Sequence, residues 1–480
     1  MAFQTFGYFV FLALMTAGYF LLPAGLRWAL LLAGSYYFYM CWNAAYALLM
    51  LTSTAVTYLC GLGLGRAKTI RQKKLCVASS LAINLGILFF FKYYGLLSGT
   101  LASIPGMPVR LPQINVLLPV GISFYIFQAL GYTIDVYRGN IQPVRHFGKY
   151  ALFVSFFPQL VAGPIERSGN LIRQFDEVHR PDFEQMRRGA LLILLGLLKK
   201  LVVADRLAVL VDMVYADAAY YGAPAIIVAT VCFAFQIYCD FSGYSDMAVG
   251  SASILGFRLM KNFDRPYFSR SIAEFWRRWH ISLSSWFRDY LYFPLGGSRV
   301  STLRWIFNIL VVFLVSGLWH GAAWTFAAWG LINGLYQVIG RFTKPARDAL
   351  WKKVGIDPDG NVRAVFATLC TFALTVFAWL FFRADSFEQL RVIFEKLASG
   401  WEFGTLFELM HQVNGRECLL MALLVCGMLA AEWLCRKSSF ADKLFASPAV
   451  IRWTAALALL FLLILFGKYN ESPAFIYFQF

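Results

Sequence analysis

The sequence predicts an all-α polytopic membrane protein of about a dozen transmembrane helices, with re-entrant and interfacial amphipathic helices between them. Composition is the first ground: 59% of the 480 residues are hydrophobic and 18% aromatic, with only 14% charged. The second is length, because apolar runs over 44–64, 75–96, 116–136, 225–243, 364–382 and 453–467 approach the roughly 20 residues that cross hydrocarbon as a helix. The third is pattern. These runs lack the every-second-residue alternation of membrane-barrel strands. No internal repeat, low-complexity tract or soluble domain interrupts them, so the reading is one membrane-embedded domain over 1–480.

Along the chain, MAFQTFGYFV enters an apolar run with neither a positive n-region nor a small-residue cleavage site, which predicts a retained first helix. The basic loop RAKTIRQKK (66–74) belongs on the cytoplasmic side. By parity the N-terminus then lies outside, Arg27, Arg138 and Arg145 inside, 215–224 outside, 256–304 inside, 383–417 outside and Arg436 and Lys437 inside. The segment KYALFVSFFPQLVAGPIER, broken by Pro158 and Gly163-Pro164, reads as a re-entrant element packed within the protein. Residues 274–293 read as one amphipathic interfacial helix, with Phe275, Trp276, Trp279, Leu283, Trp286, Phe287 and Tyr290 on an arc of about 120° and Arg277 and Arg288 off it. Residues 305–340 form a hairpin that leaves and re-enters the cytoplasmic side, with His320 near its turn.

A formal charge of +17 raises nucleic acid as a partner. The basic residues concentrate in loops, however, where the positive-inside rule and attraction to anionic membrane lipids explain them, so no nucleic-acid partner is expected. Nine cysteines lie mostly in apolar runs without metal-site or redox spacing, and no metal is expected. Neither a phosphate-binding glycine loop nor a nucleophile elbow is present.

Two of the five histidines stand in unusual surroundings. His320, in SGLWHGAAW, has Gly317, Gly321, Ala322 and Ala323 around it, small enough to let a substrate or another helix approach, with Trp319 and Trp324 beside them. His280 sits at the edge of the aromatic arc. Imidazole titrates near neutral pH, which suits both to acid-base work, and close helix packing accounts for the same spacing. CDFSGYSD places Asp240, Ser242, Tyr244, Ser245 and Asp246 at the cytoplasmic end of a span, where a functional and a structural role for Asp240 both remain open and helix capping is an alternative for Asp246. Lys199, Lys200, Asp205 and Arg206 interrupt an apolar run, as a buried ion pair or as an anionic-substrate contact. His146, His179 and His411 lie in charged loops and are expected to be solvated.

Four motifs in order, PQLVAGPIER (158–167), YCDFSGYSDMAVG (238–250), FWRRWHISLSSWFRDYLYFPLGG (275–297) and SGLWHGAAWTFAAWG (316–330), closely resemble those of the bacterial membrane-bound O-acyltransferases, and the closing FIYFQF resembles their alginate and peptidoglycan O-acetyltransferase branch. The resemblance spans nearly the whole chain. It implies that His320 is the principal catalytic histidine and His280 the second functional one. It further implies acetyl-CoA as a cytoplasmic donor substrate, with no permanently bound cofactor. With such a donor, Arg277 and Arg288 are candidate contacts for its phosphates, which lipid headgroups would attract equally well, and Trp319, Trp279, Asp240 and Tyr244 are candidate substrate-binding residues. The location implied is the bacterial inner membrane, and the acceptor an extracytoplasmic polysaccharide reached through an esterase-like partner protein. Alternatives are a D-alanyl transfer subunit of teichoic acid modification fed by a carrier protein, a long-chain acyltransferase of the same superfamily, and a transporter or channel with a histidine gate.

Overall fold

The computed structural model describes the chain except for residues 107–110, 113, 115–116, 162, 356, 358–359, 437, 439, 470–474 and 477–480. All regular elements among the described residues are helical. Among the described residues, seven helices are long and apolar enough to cross a membrane: Ala44–Arg66, Ile70–Ser103, Ala223–Ile254, Thr302–His320, Asn361–Arg383, Gly415–Leu434 and Ala449–Phe466. The larger expected number counted shorter apolar elements as well. Phe6–Leu21 has 16 residues, and Ala24–Met40 and Ile122–Arg138 have 17 each.

The described chain divides into two compact units. The first holds Met1–Ile193 and Tyr244–Lys261. At its centre is Ile122–Arg138, buried on every side from Ile122 to Thr133. This helix starts after Gly121, whose φ of +72° and whose approach to the Leu160 carbonyl leave no room for a Cβ. Hydroxyls join its neighbours, with Ser80 and Thr133 at 3.0 Å and the Tyr150 hydroxyl donating to Thr57 at 2.7 Å. Polar pairs of this kind, with small residues, hold helices together where lipid removes the hydrophobic difference.

The expected re-entrant segment is a pair of short helices, Phe147–Ser155 and Phe157–Leu160, buried from Tyr150 to Val161. Pro158 cannot donate the hydrogen bond that would continue the first helix. The Phe153 carbonyl instead accepts from the Gln159 side chain at 3.0 Å and from that of Gln128. Glu166 beyond it is buried, accepting from Asn170 at 2.8 Å and from the Met260 backbone N–H, and burial raises its carboxyl above the usual range. One expectation is corrected here: His179 is not solvated. Its ring packs on Phe257 at 4.6 Å, Nδ1 meets the Tyr19 hydroxyl at 2.8 Å, and burial lowers its basicity.

The second unit holds Leu194–Gly243 and Asn262–Phe480. A π-helical turn over Leu198–Ala204 inserts Lys200 into the interior. The expected hairpin is Thr302–His320 followed by Trp324–Lys353, and glycine permits its tight contact. A Cβ on Gly317 would meet the Phe326 carbonyl at 2.2 Å, and one on Gly330 the Phe313 carbonyl at 2.2 Å. Its inner face meets Asn361–Arg383 through Trp329 and Trp379, stacked at 5.7 Å, and through Phe382.

Candidate functional site

His320 is the last residue of its helix. Gly321 ends the helix with an extended backbone, and a Cβ there would lie 2.1 Å from the Phe326 ring, so the turn after His320 depends on glycine. The imidazole is 2% exposed, with the rings of Trp329, Trp319 and Phe382 at 4.9, 5.0 and 5.7 Å. Its Nδ1 lies 2.6 Å from the Ser316 carbonyl. A carbonyl can only accept, so Nδ1 carries the proton and the lone pair of the neutral ring is on Nε2.

His280 is reached differently. The single interfacial helix expected over 274–293 is instead two helices, Ile272–Arg278 and Ile281–Phe287, followed by a π-turn over Arg288–Tyr292. The break is at His280, in the left-handed region with φ of +43°, a strained backbone for a residue with a Cβ. The segment 262–264 causes it by taking hydrogen bonds that a continuous helix would use. Asn262 O accepts from Ile281 N–H at 2.9 Å, Asn262 Oδ1 accepts from Ser282 N–H at 3.3 Å, and Asp264 N–H donates to Arg278 O at 2.9 Å.

The same asparagine sets the ring. Asn262 Oδ1 lies 3.1 Å from His280 Nδ1 and accepts the Ser282 hydroxyl at 2.9 Å. The backbone N–H of Ser282 identifies that atom as the oxygen, so His280 Nδ1 donates and Nε2 is again the basic nitrogen. His280 is fully buried, under the edge of the Phe241 ring at 4.6 Å. Burial, and then repulsion from His320 when that ring carries a second proton, hold its basicity well below the ordinary histidine range. The two imidazole centroids are 6.5 Å apart at 79°.

The second unit thus brings together His280, His320 and Trp319, whose ring lies 5.9 Å from His280. Trp279 is fully buried, stacked on Phe275 at 5.4 Å and close to Trp379 at 5.2 Å. Arg277 is exposed, as is Arg288, which pairs with Asp289 at 2.8 Å. Asp240 is occupied by Lys200 at 2.9 Å and by the Ile476 N–H at 2.8 Å. Tyr244 belongs to the first unit, where its hydroxyl donates to Gln4 at 2.8 Å. Trp324, expected to flank the approach to His320, is half exposed at the start of its helix. Of the closing FIYFQF, only Phe475 and Ile476 lie among the described residues.

Sequence reasoning passed over Asn262, Ser316, Phe241 and Phe382. Asn262 lies in RLMKNFDRP, which reads as a basic loop, and no local pattern announces a bond across 18 positions to His280. Ser316 carried a signal, being four residues before a histidine at a helix end.

A family model described as the membrane-bound O-acyltransferase family matches residues 135–379, a span that contains both histidines, Asn262, Lys200 and Asp240. Over 408 residues the sequence is 40% identical to the "Probable alginate O-acetylase" of Azotobacter vinelandii, covering 82% of this chain and 77% of that one. It is 36% identical to the protein of that name in Pseudomonas putida, covering 98% of each. The "Peptidoglycan O-acetyltransferase" of Helicobacter pylori is 31% identical, over 98% of this chain and 96% of that one.

Proposed function

This chain belongs to the membrane-bound O-acyltransferase family, and from that premise we propose that it takes acetyl from cytoplasmic acetyl-CoA and passes it across the inner membrane to hydroxyls of an extracytoplasmic polysaccharide. Alginate and peptidoglycan are the acceptors in the relatives' names, and a glycan of that kind, met through an extracytoplasmic esterase-like partner, is the acceptor here. The observation that carries the reading is the pair of buried histidines with fixed tautomers, each with its basic Nε2 opposite an anchored Nδ1.

In the reaction, His320 Nε2 removes the proton of the acceptor hydroxyl as its oxygen attacks the thioester carbonyl. The tetrahedral intermediate collapses with cleavage of the C–S bond, and the imidazolium returns its proton to the departing CoA thiolate. His280, kept neutral with its Nδ1 proton on Asn262, orients a substrate donor at Nε2. Trp319 and Trp279 wall the reacting groups from lipid and water, and Arg277 and Arg288 meet the donor phosphates. Supplying purified protein with either acetyl-CoA or an acyl-charged carrier protein tests the donor. Turnover of acetyl-CoA supports the proposal; turnover of the carrier alone would replace it with D-alanyl transfer. Solute flux without thioester cleavage would replace it with transport.

A further inference from the structure

Asp240 and Lys200 are not needed by the chemistry above, yet they form the most deeply buried ionic group in the second unit among the described residues. Lys200 Nζ lies 2.8 Å from Asp205 and 2.9 Å from Asp240, with side-chain exposures of 1, 2 and 4%. Buried charges are costly unless each is paired and hydrogen-bonded, so the cluster constrains whatever completes it. What completes it is the end of the chain. Asp240 Oδ2 accepts the backbone N–H of Ile476, 236 positions away, at 2.8 Å.

Two further bonds hold the chain at Phe466 and Lys468 to the same region. Arg206 donates to the Phe466 carbonyl at 2.7 Å, and Lys468 N–H donates to Leu201 O at 3.0 Å. Both partners lie on or beside the turn that carries Lys200. Phe475, fully buried, then packs on Phe241 at 5.7 Å, and Phe241 is the ring set edge-on against His280 at 4.6 Å. Phe241 also touches Phe263 at 5.0 Å, next to Asn262, which fixes the His280 tautomer.

We propose that Lys200 and Asp240 form a latch that holds the C-terminal segment at Ile476, and that the latched segment positions His280 through Phe475 and Phe241. Both are positioning residues that act through the histidine without touching substrate. This rests on the reading of His280 as a functional residue. The Asp205 partner makes the latch separable from folding, because removing the Asp240 carboxylate leaves Lys200 and Asp205 as a neutral pair.

The test uses the full-length protein in nanodiscs with Asp240→Ala, Ile476→Pro, the double variant and His280→Ala. Ile476→Pro removes the N–H donor without altering a charge, and Ile476→Ala, which keeps the N–H and loses the buried side chain, is its control. Two readouts are taken: hydrogen exchange at 466–469 and 475–476, and kcat and KM for acetyl transfer. Loss of a bond to a buried charged acceptor should speed exchange of that segment by about tenfold or more. Both single variants should lower kcat about tenfold or more with KM for the donor little changed, and the double variant should be no worse than either. Lys200→Arg, which keeps the charge, should recover more activity than Lys200→Met. Full kcat in a variant whose segment has come loose would overturn the latch, as would unchanged exchange in Asp240→Ala. A fully active His280→Ala would instead overturn the functional reading of that histidine, and the exchange data would still report whether the segment is latched.

Discussion

Asn262→Asp changes one atom of the site and its effect can be worked out. The carboxylate keeps an oxygen for His280 Nδ1, the Ser282 N–H and the Ser282 hydroxyl, and it brings a negative charge within about 3 Å of the imidazole. A carboxylate at that range raises a histidine by about 1–3 pKa units, each worth about 1.36 kcal/mol. In the native protein burial and His320 hold His280 low, so it is neutral at neutral pH. In the variant it takes up its proton at a pH about 1–3 units higher than in the native protein. Two imidazolium charges with centroids 6.5 Å apart repel by about 2.6 kcal/mol at an effective dielectric of about 20, so a second proton enters the pair about 75-fold less readily. Below that pH the base starts from a protonated neighbour. The assay is kcat/KM for acetyl transfer from about pH 5 to about pH 8.5. The wild-type acid limb attributable to His280 should lie below about pH 6.5, and in Asn262→Asp it should move up by about 1–3 units, with activity recovering at the alkaline end. Superimposable profiles would refute the assigned tautomer and the coupling together.

Other outcomes follow from the same contacts. Because the folded protein holds His280 below its unfolded value, the neutral ring's contribution to stability is present above about pH 6.5 and is lost as pH falls; His280→Gln should flatten that decline in Tm. Glu166 has the opposite sign: raised by burial, its contribution is present below the unfolded value of about 4.3 and is lost as pH rises through the folded one, and Glu166→Gln should reduce the loss. Gly317→Ala should cost about 1–3 kcal/mol and lower Tm, since its Cβ would overlap the Phe326 carbonyl, whereas Gly340→Ala, with open space around it, should change Tm little. Arg277→Gln and Arg288→Gln should raise KM for acetyl-CoA by about 3- to 30-fold at low salt with kcat retained, as measured by donor titration.

The helical membrane fold was legible because apolar runs and glycine-marked turns are local. So was the hairpin, whose small residues around His320 announce close packing at Gly317 and Gly330. The break at His280 was not legible. The aromatic arc over 274–293 is a sound helical pattern, and it fails only because Asn262 and Asp264, from a preceding loop, take the backbone hydrogen bonds at that position. Asp240 could be flagged as a costly charge in a span, but its partners are 40 positions upstream at Lys200 and at the far end of the chain at Ile476, and periodicity cannot report on either. His179 was read from its charged neighbours, while its burial comes from Tyr19 and Phe257.

The most direct measurement is transfer of radiolabelled acetyl from acetyl-CoA by the purified protein, wild type beside His320→Ala, with both variants shown to be folded and the label followed into protein, water and glycan acceptor. The account predicts donor cleavage and acceptor labelling by wild type, and loss of both by at least about a hundredfold when His320 is replaced. Undiminished transfer by His320→Ala would contradict it.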